Sequence, residues 1–417
     1  MRSLADWLEQ QQKSHPSAID LDLTRVRGVA QRMGLLPPGC RVITVAGTNG
    51  KGSTVAYIDA LFRSAGKRAG RFTSPHLVKY NERICVDGVE ARDDELVAAF
   101  ERIDASRGTT TLTFFEYNTL AALDVFARRE VEVAILEVGL GGRLDATNIV
   151  DADVGVVCSI GLDHVDWLGD SIEQIGREKA GIFRAGRPAV LGSATMPASV
   201  WQVIEAIGAR AVAPGRDYHV RVRGDRWDFD SEPLTLHDLP LPSMAGVHQI
   251  GNAAAALAAV LFGKFDLPLT REVVTRSLHN VHVAGRFQRI PGEVEWILDV
   301  AHNVPAAAVL RDNLRRLPRA RRTLAVCGIL GDKDIRGIAA VLAPDIDGWI
   351  LATLAGPRAV SAEQIAAQLP ANASVIARTA DVAEACRVAR SSARPQDRVL
   401  VFGSFLTVGP ALDFLGI

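Results

Sequence analysis

The sequence of 417 residues has few cysteines, and none of them are paired in a motif. Its five cysteines lie far apart and form no C-x-x-C pattern, so neither a disulfide framework nor a cysteine zinc site is predicted. An excess of basic residues is also lacking, because 47 Lys and Arg stand against 48 Asp and Glu. Nucleic acid is therefore not an expected partner, since binding a phosphate backbone draws on such an excess.

Long hydrophobic runs are missing as well. The longest, such as AAAALAAVLF, fall well short of the ~20 apolar residues that a bilayer span needs, and the N-terminus has no unbroken apolar segment of the signal-peptide type. No repeat or low-complexity tract interrupts the chain. We therefore expect no membrane partner and a soluble, cytoplasmic globular protein of two to three domains.

What the sequence does contain is an alternation of buried strands and helices. RVITVAG at 41–47, VEVAILEVG at 131–139 and DVGVVCSIG at 153–161 are typical of parallel strands that are covered on both faces. Between 217 and 239 the pattern becomes alternating and rich in turns, which predicts a small antiparallel excursion. This predicts an α/β fold whose N-terminal domain has a doubly wound, mostly parallel sheet.

The alternation restarts after the segment GRFQRIPG, which is the natural hinge. Five strand candidates follow, WILDVAHN, TLAVCGIL, DGWILATLA, ASVIA and RVLVFGSF, separated by helical stretches. They predict a smaller, Rossmann-like α/β domain at 288–417 after a first domain at 1–287. Clefts between such domains are common ligand sites.

A strand, a glycine-rich loop and a helix coincide in ITVAGTNGKGSTVAYI. Glycines let backbone N–H groups approach a phosphate, Lys51 adds a positive charge, and the hydroxyl of Ser53 or Thr54 can bind Mg²⁺. The spacing departs from G-x-x-x-x-G-K-[ST], because the loop is two residues shorter and has a further glycine after its lysine. A purely structural turn is the alternative. We predict that the nucleotide phosphates bind to Thr48, Asn49, Gly50, Lys51, Gly52 and Ser53.

Two other nucleotide-binding classes are disfavoured by missing motifs. A GTPase switch needs a guanine-reading N-K-x-D motif, and none is found. The dinucleotide pattern G-x-G-x-x-G after the first strand is absent too.

Ten motifs together resemble the dihydrofolate synthase/folylpolyglutamate synthase family, which is related to the Mur ligases of cell-wall synthesis. They occur in the family's order over nearly the whole chain: GTNGKGS, TSPHL, LTFFEY, LEVGLGGRLDATN, LDHVDWLG, REKAGIF, HQIGNAAAAL, GRFQ, DVAHN and GSF. The resemblance implies an ATP-binding, Mur-ligase-like domain at 1–287 and a glutamate-ligase domain at 288–417.

The activity implied by this resemblance is an ATP-dependent ligation. L-glutamate is added to 7,8-dihydropteroate, which forms dihydrofolate, and further glutamates are added to tetrahydrofolates through an acyl phosphate, with release of ADP and phosphate. Phosphoryl transfer depends on positioning and charge neutralisation, so cations and metal ligands are expected and a nucleophile is not. The implied cofactors are ATP, Mg²⁺ and, as an additional cation, K⁺, and the implied oligomeric state is a monomer.

Residues at the ends of predicted strands are candidate metal ligands. Glu137 and His164 each follow a buried strand, and open α/β sheets bind ligands at the carboxyl ends of their strands. By resemblance, Mg²⁺ is bound by Ser74, Glu137 and His164, with Ser53 as a further ligand. Without the resemblance, a lone His is more often a surface or core residue and a strand-terminal Glu a loop partner.

Lys179 in REKAGIF resembles the lysine that carbon dioxide carbamylates in the family, giving an N6-carboxylysine. Such a group is an anion that can lie beside the metal, whereas an ammonium would repel it. The alternatives are a solvated lysine and a direct phosphate contact. The catalytic residues implied by the resemblance are Lys51, Lys179 and His164.

The remaining candidates bind nucleotide or substrate by resemblance to the family. The nucleotide contacts are Asn252, Arg286, Asp299 and His302, where Arg286 and Asp299 could bridge the cleft; for Arg286 alone an interdomain salt bridge is the alternative. Ser404 is a candidate on the glutamate side. The dihydropteroate segments are Lys13, Ser14, His15 and Pro16; Thr113, Phe114, Phe115 and Glu116; and Leu144, Asp145 and Ala146. Phe114 and Phe115 offer aromatic faces for stacking, although such pairs are more often core.

Two other functions remain open from the sequence. A Mur-type cell-wall ligase would need an extra domain for the uridine nucleotide, and only 46 residues precede Gly47. A nucleotide-dependent binding module without ligation is the second alternative. The presence of Glu137, His164 and Lys179, together with a complete second domain, disfavours this binding module.

Overall fold

A computed structural model describes residues 2–417 of the chain, and two compact units account for them. The first unit comprises the chain up to His76 with Asn81–Ser243 and Gln249–Val281, and the second comprises Leu77–Tyr80, Met244–His248 and His282–Ile417. The domain boundary between 287 and 288 stays a prediction. Within residues 2–417, every helix is too short or too polar to cross a membrane.

The first unit is built around a sheet of eight strands. In spatial order they are β4-β3-β2-β5-β1-β6-β7-β8, and the six from β2 to β8 run parallel while β3 and β4 form an antiparallel edge. The interior strands are buried along their length, as predicted from their continuous apolar runs. The strands are β1 Arg41–Ala46, β2 Ala69–Phe72, β3 Ile84–Val86, β4 Val89–Glu90, β5 Val133–Glu137, β6 Val154–Val157, β7 Pro188–Leu191 and β8 Arg210–Val212.

Ten α-helices lie between residues 4 and 280. The helix predicted after the glycine loop is buried continuously from Ser53 to Phe62, so it lies in the core instead of showing a polar face. The helices are α1 Leu4–Lys13, α2 Leu23–Arg32, α3 Lys51–Ser64, α4 Asp93–Arg107, α5 Phe114–Arg128, α6 Val165–Leu168, α7 Ile172–Ala180, α8 Ala198–Ile207, α9 Val247–Phe262 and α10 Arg271–Asn280.

The predicted antiparallel excursion is a separate three-stranded sheet. Its strands are β9 Tyr218–Arg223, β10 Arg226–Ser231 and β11 Thr235–Pro240, with β10 in the centre. Trp227 and Phe229 of the central strand are fully buried, whereas β9 is mostly exposed. The alternating pattern of the sequence therefore indicates a sheet with one buried face.

The second unit contains a six-stranded sheet in the order β12-β13-β17-β14-β15-β16. All five predicted strands are present and parallel, and β12, which lies in the segment interpreted as a hinge, adds an antiparallel edge. The strands are β12 Gln288–Ile290, β13 Glu295–Asp299, β14 Thr323–Cys327, β15 Gly348–Ala352, β16 Val375–Thr379 and β17 Arg398–Phe402; the helices are α11 Val304–Arg316, α12 Ile335–Leu342, α13 Ala362–Ala366, α14 Val382–Ser392 and α15 Phe405–Leu415.

Helices cover both faces of this second sheet. Alternate residues of β13 and β17 enter two different apolar clusters: Ile297 and Leu400 pack with α11 and α12, whereas Leu298 and Val401 pack with α14 and α15. This two-sided burial explains why its strands read as unbroken apolar runs. The predicted α/β class with a larger, mostly parallel N-terminal sheet and a smaller C-terminal α/β unit is confirmed.

Candidate functional site

The predicted phosphate loop connects β1 to α3. Gly50 occupies the position before the helix with φ +88°, a left-handed conformation that favours glycine, and as a glycine it has no side chain that could cap the first helical turn. Lys51 Nζ donates to the carbonyl oxygens of Gly47, at 2.9 Å, and Thr48, at 3.3 Å. A lysine and a helix start without a side-chain cap are a suitable environment for an anion.

The loop is held by the segment that follows β6. The Thr48 N–H donates to the Ser159 carbonyl at 2.8 Å, the Thr48 hydroxyl lies 3.0 Å from the Gly161 carbonyl, and the Asn49 N–H donates to Ser159 Oγ at 3.1 Å. Thr48 is buried, as is the neighbouring Cys158. The loop conformation is therefore fixed by backbone and hydroxyl groups of the protein itself.

Two glycines of the loop lie against polar side chains. A Cβ atom at Gly50 would lie 2.7 Å from Asn252 Oδ1, and one at Gly52 would lie 3.5 Å from Glu137 Oε2. Asn252 also donates to Gln249 Oε1 at 3.0 Å, which orients its amide. The structure thus brings two predicted site residues, Asn252 and Glu137, to the phosphate loop.

Three of the predicted metal ligands are close to one another. The Ser74 N–H donates to Glu137 Oε2 at 3.4 Å, and Glu137 is 3% exposed. Ser53 is buried in the first turn of α3, next to Gly52, and its hydroxyl accepts from Gln249 Nε2 at 3.4 Å. A carboxylate and two hydroxyl groups are oxygen ligands of the kind that Mg²⁺ prefers.

His164, the fourth predicted ligand, is the residue immediately before α6 and has φ +51°. Its Nε2 lies 3.9 Å from Asp163 Oδ1. Within residues 2–417, no three His, Cys, Asp or Glu side chains form a metal-binding group. The predicted set contains only two such residues, Glu137 and His164, so its donor chemistry fits a Mg²⁺ that takes other ligands from phosphate and water.

Lys179 is buried in the last turn of α7, 5% exposed. Burial and the nearby positive charge of Lys51 lower its pKa to about 7, although Asp163 and Asp145 act in the opposite direction. Near neutral pH, the amine is therefore present in both its charged and its neutral form. The predicted catalytic residues Lys51 and Lys179 are electrostatic neighbours.

The segment 144–146 forms the start of a short 3₁₀ helix after β5. The buried carboxylate of Asp145 accepts the N–H groups of Gly139, at 3.0 Å, and Leu140, at 2.9 Å, and both the N–H and the hydroxyl of Thr147. Burial raises the pKa of Asp145 despite these bonds. This side chain therefore shapes the loop, in which Leu144 is half-buried and Ala146 is buried.

The segment 113–116 begins α5 with a capping box. The Thr113 N–H donates to Glu116 Oε2 at 2.7 Å, and the Glu116 N–H donates to Thr113 Oγ1 at 3.2 Å. Phe114 and Phe115 are half-buried: the Phe114 ring lies under the Arg83 guanidinium, and the Phe115 ring packs beside Gly139. The two rings are thus neither fully in the core nor in open solvent.

The N-terminal segment 13–16 divides into two parts. Ser14 Oγ donates to the Leu112 carbonyl at 2.8 Å, and His15 Nε2 lies 3.5 Å from Asp20 Oδ2. Lys13 points to Glu9 on the exposed side of α1, and Pro16 is exposed. Ser14 and His15 therefore lie beside the start of α5, whereas Lys13 does not contact it.

Two residues near this segment were missed in the sequence. They are Arg25 of α2 and Asp20: the Arg25 guanidinium lies 2.8 Å from Asp20 and 3.2 Å from Glu116. Arg25 and Asp20 lie in IDLDLTR, where two carboxylates precede an arginine at the start of a helix. That pattern was the available signal, but it does not identify Glu116, 91 positions away, as the shared partner.

The second unit brings four predicted residues to the end of β13 and the start of α15, which follows the neighbouring strand β17. The Asp299 carboxylate accepts the N–H groups of Phe287 and Ala301, both at 2.8 Å, and burial raises the pKa of Asp299 while Arg286 and His302 lower it. The Arg286 guanidinium lies 5.6 Å from the centre of the Phe405 ring, and the His302 ring lies 6.4 Å from it. Ser404 caps α15 by accepting the N–H of Leu406 at 3.1 Å. The predicted bridging role of Arg286 and Asp299 stays a prediction.

The chain is similar to Mur ligases over most of its length. The family description "Mur ligase middle domain" matches residues 45–260, and "Mur ligase, glutamate ligase domain" matches residues 285–405. The dihydrofolate synthase/folylpolyglutamate synthase of Escherichia coli (strain K12) is 44% identical over 412 residues, which cover 99% of this chain and 95% of that protein. The protein of the same name from Haemophilus influenzae is 39% identical, with coverage of 97% and 96%.

Solved structures agree with these sequence relatives. The structure described as E. coli FolC in complex with DHPP and ADP has a TM-score of 0.94 and 43% identity, and covers 100% of this chain and 98% of that one. A bifunctional folylpolyglutamate synthase/dihydrofolate synthase with Mn, AMPPNP and L-glutamate bound has a TM-score of 0.92 and 41% identity, with coverage of 100% and 99%.

Proposed function

The chain belongs to the dihydrofolate synthase/folylpolyglutamate synthase family of Mur ligases, and from this premise we propose how its residues bind ATP, metal and substrates. It is an ATP-dependent ligase that adds glutamate in folate metabolism. A Mur-type cell-wall ligase is not favoured, because relatives that match 97–99% of the chain have the folate activities in their names.

The nucleotide part of the proposal rests on the structure of the loop before α3, where Gly50 precedes the helix and Lys51 lies over the loop carbonyls. ATP binds with its phosphates at the loop 48–53, where Lys51 and the N–H groups at the start of α3 neutralise their charge. Asn252, which lies against Gly50, is a further nucleotide contact. Arg286, Asp299 and His302 are nucleotide contacts proposed on the family resemblance alone.

Mg²⁺ is bound by Glu137, Ser74, His164 and Ser53, of which Ser74 and Glu137 are joined by a hydrogen bond. A relative has been solved with Mn and AMPPNP bound, which supports a divalent ion in this chain's site. When bound, the ion withdraws negative charge from phosphate oxygens. K⁺ is proposed as an additional cation on the family resemblance alone.

The chemistry consists of two bond exchanges. The carboxylate of the pteroate or folate attacks the terminal phosphorus of ATP, so that a C–O–P bond forms and ADP leaves. The glutamate amine then attacks the carbonyl carbon, the C–N bond forms, phosphate leaves and the amine loses a proton. Lys51 stabilises the charge on the oxygens of the transferred group, and the fixed loop orients it.

We propose that Lys179 is carbamylated. The reaction joins the neutral amine to carbon dioxide with loss of one proton, and a pKa of about 7 supplies the neutral amine near neutral pH. Carbamylation also removes the repulsion between two neighbouring cations, Lys179 and Lys51. The resulting anion is suited to a position near a metal ion.

Dihydropteroate occupies the region at the starts of α5 and of the 3₁₀ helix after β5. Phe114 and Phe115 are half-buried there, and dihydropteroate has a flat ring that can stack on them. A relative has been solved with DHPP and ADP, and another with L-glutamate. Glutamate is proposed near Ser404. We also predict that the protein is a monomer, that it is cytoplasmic, and that it binds neither nucleic acid nor a membrane.

The test is incorporation of labelled L-glutamate by the purified protein. With Mg·ATP we expect label in the product from dihydropteroate and, in a separate reaction, from tetrahydrofolate, with one ADP formed for each glutamate. A uridine-linked cell-wall precursor serves as the control acceptor and should receive no label. Label on neither pterin nor folate would refute the proposed substrates, and label on the control acceptor would favour the Mur-type alternative.

A further inference from the structure

Arg25 contacts three carboxylates, and the reaction steps proposed above give it no role. Its Nη1 lies 2.8 Å from Asp20 Oδ2 and 3.6 Å from Asp22 Oδ2, and its Nη2 lies 3.2 Å from Glu116 Oε1. Nη2 also donates to the Asp20 carbonyl at 3.2 Å. One guanidinium thus joins the connection between α1 and α2, the start of α2 and the start of α5.

The ion pair with Glu116 is buried on one side. The Glu116 side chain is 3% exposed and that of Arg25 is 20% exposed. Glu116 Oε2 already accepts the Thr113 N–H, so Arg25 occupies the remaining oxygen, Oε1. A buried carboxylate that loses its cation is destabilised strongly, because it keeps its desolvation penalty without the compensating attraction.

The other end of this network reaches the segment before α2. Asp20, whose side chain is 38% exposed, is paired with Arg25 on one side and lies 3.5 Å from His15 Nε2 on the other. Ser14 ties the same segment to the Leu112 carbonyl, one residue before the α5 cap. The segment 14–20 is otherwise irregular, so these few contacts decide where it lies.

We propose that Arg25 is a positioning residue for the dihydropteroate reaction, which it serves by fixing the segment 14–20 against the start of α5. The inference rests on the proposed function, since both segments are proposed to bind dihydropteroate. Within residues 2–417, the Arg25 side chain forms its ion pairs and hydrogen bonds with Asp20, Asp22 and Glu116, and none with the phosphate loop or the predicted metal ligands. Its role is therefore to select which acceptor binds well, and not to set the rate of phosphoryl transfer.

The experiment compares acceptors in Arg25→Met, which keeps an apolar stem but removes the charge. We expect the KM for dihydropteroate to rise by about tenfold or more, while the KM for tetrahydrofolate and the KM for ATP change less than about twofold. Arg25→Lys keeps the charge but cannot pair with several carboxylates in one plane, so its KM for dihydropteroate should be intermediate.

The matched control is Arg32→Met in the same helix. Arg32 also holds α2 through hydrogen bonds, to the carbonyls of Ser106, at 2.6 Å, and Arg107, at 3.2 Å, but it contacts no carboxylate of the network. This variant should lower the melting temperature without changing the ratio of the two acceptor KM values. An equal change of that ratio in both variants would show that general loosening of α2 is the cause and would overturn the proposal.

A second readout does not depend on activity. Hydrogen exchange of the 14–20 segment should become faster in Arg25→Met, and dihydropteroate should protect that segment in the wild type. If Arg25→Met does not fold, the same measurements on Arg25→Lys decide the matter. Unchanged KM values for dihydropteroate in a folded Arg25 variant would refute the positioning role. If instead the wild type does not use dihydropteroate at all, the proposed function fails, which is a separate result.

Discussion

Two helices of the first unit begin close to the end of β5, and their first turns are built differently. At α3 the preceding residue is Gly50, which has no side chain to cap the turn, and Gly52 faces the Glu137 carboxylate. At α5 the Thr113 hydroxyl and the Glu116 carboxylate satisfy the turn reciprocally, and Phe115 packs beside Gly139. The open helix start is suited to bind an anion, whereas the capped start is a rigid support for neighbouring side chains.

The difference shows that a helix N-terminus does not indicate a phosphate site by itself. What distinguishes α3 is the combination of missing side-chain cap, glycine φ of +88° and a lysine folded over the loop carbonyls. The capped helix α5 keeps its carboxylate internal, because one oxygen binds a backbone N–H and the other binds Arg25. Substitutions at the two helix starts should therefore have different consequences.

The largest effect is expected at the open start. Lys51→Ala removes the cation of the loop and should lower kcat by a factor on the order of 100 or more, because charge on the transferred group loses a preorganised partner. The thermal stability should change little, since Lys51 donates only to carbonyls of its own loop. Steady-state kinetics and a melting curve check this. Lys67→Ala, which removes a half-buried lysine outside the loop that pairs with Glu132, is the control. A wild-type kcat in Lys51→Ala would refute the role of the loop.

An intermediate effect is expected at Lys179, the second lysine of the same site. Its pKa of about 7 means that the neutral amine predominates above pH 7 and the ammonium below it. Uptake of ¹³C-labelled carbon dioxide should therefore be greater at pH 8 than at pH 6, as measured by a carbamate signal in ¹³C NMR.

The variant Lys179→Ala provides the corresponding control. It should lack this signal and lose activity, and a small carboxylate such as acetate should restore part of the activity by supplying the missing anion. Full activity of Lys179→Ala without any added carboxylate would contradict the need for a negative charge at this position.

The smallest effect is expected at the capped start. Thr113→Ala removes the hydroxyl that accepts the Glu116 N–H and should lower the free energy of unfolding by about 1 kcal/mol. Because Glu116 Oε2 still accepts the backbone N–H of residue 113, the KM for ATP should stay unchanged. Chemical denaturation and ATP titration test this. Thr113→Ser retains a hydroxyl and should keep the stability; a loss as large as that of Thr113→Ala would argue against the cap.

The phosphate loop could be predicted from the sequence because its parts are contiguous. Strand, glycines, lysine and helix follow one another between 41 and 64, and the sheet order then places Glu137 beside them through the pairing of β1 with β5. The five parallel strands of the second unit could be predicted equally well, since burial on both faces leaves a continuous apolar run in each.

Contacts between residues that are far apart in the sequence could not be predicted in this way. The pairing of Arg25 with Glu116 spans 91 positions and depends on how α2 lies against α5. The edge strand Gln288–Ile290 was interpreted as part of a hinge, because a three-residue strand leaves no periodicity to detect. The inclusion of Leu77–Tyr80 in the second unit likewise follows from tertiary packing and from no local pattern.

The most direct test of the account is the position of the metal in a crystal structure of the protein with Mn²⁺ and a non-hydrolysable ATP analogue. Anomalous scattering from manganese would locate the ion independently of the interpretation of nearby density. We expect it within coordination distance of Glu137, Ser74 and His164, with the triphosphate at Lys51 and the first turn of α3. A metal elsewhere, or a triphosphate that does not contact this loop, would contradict the account.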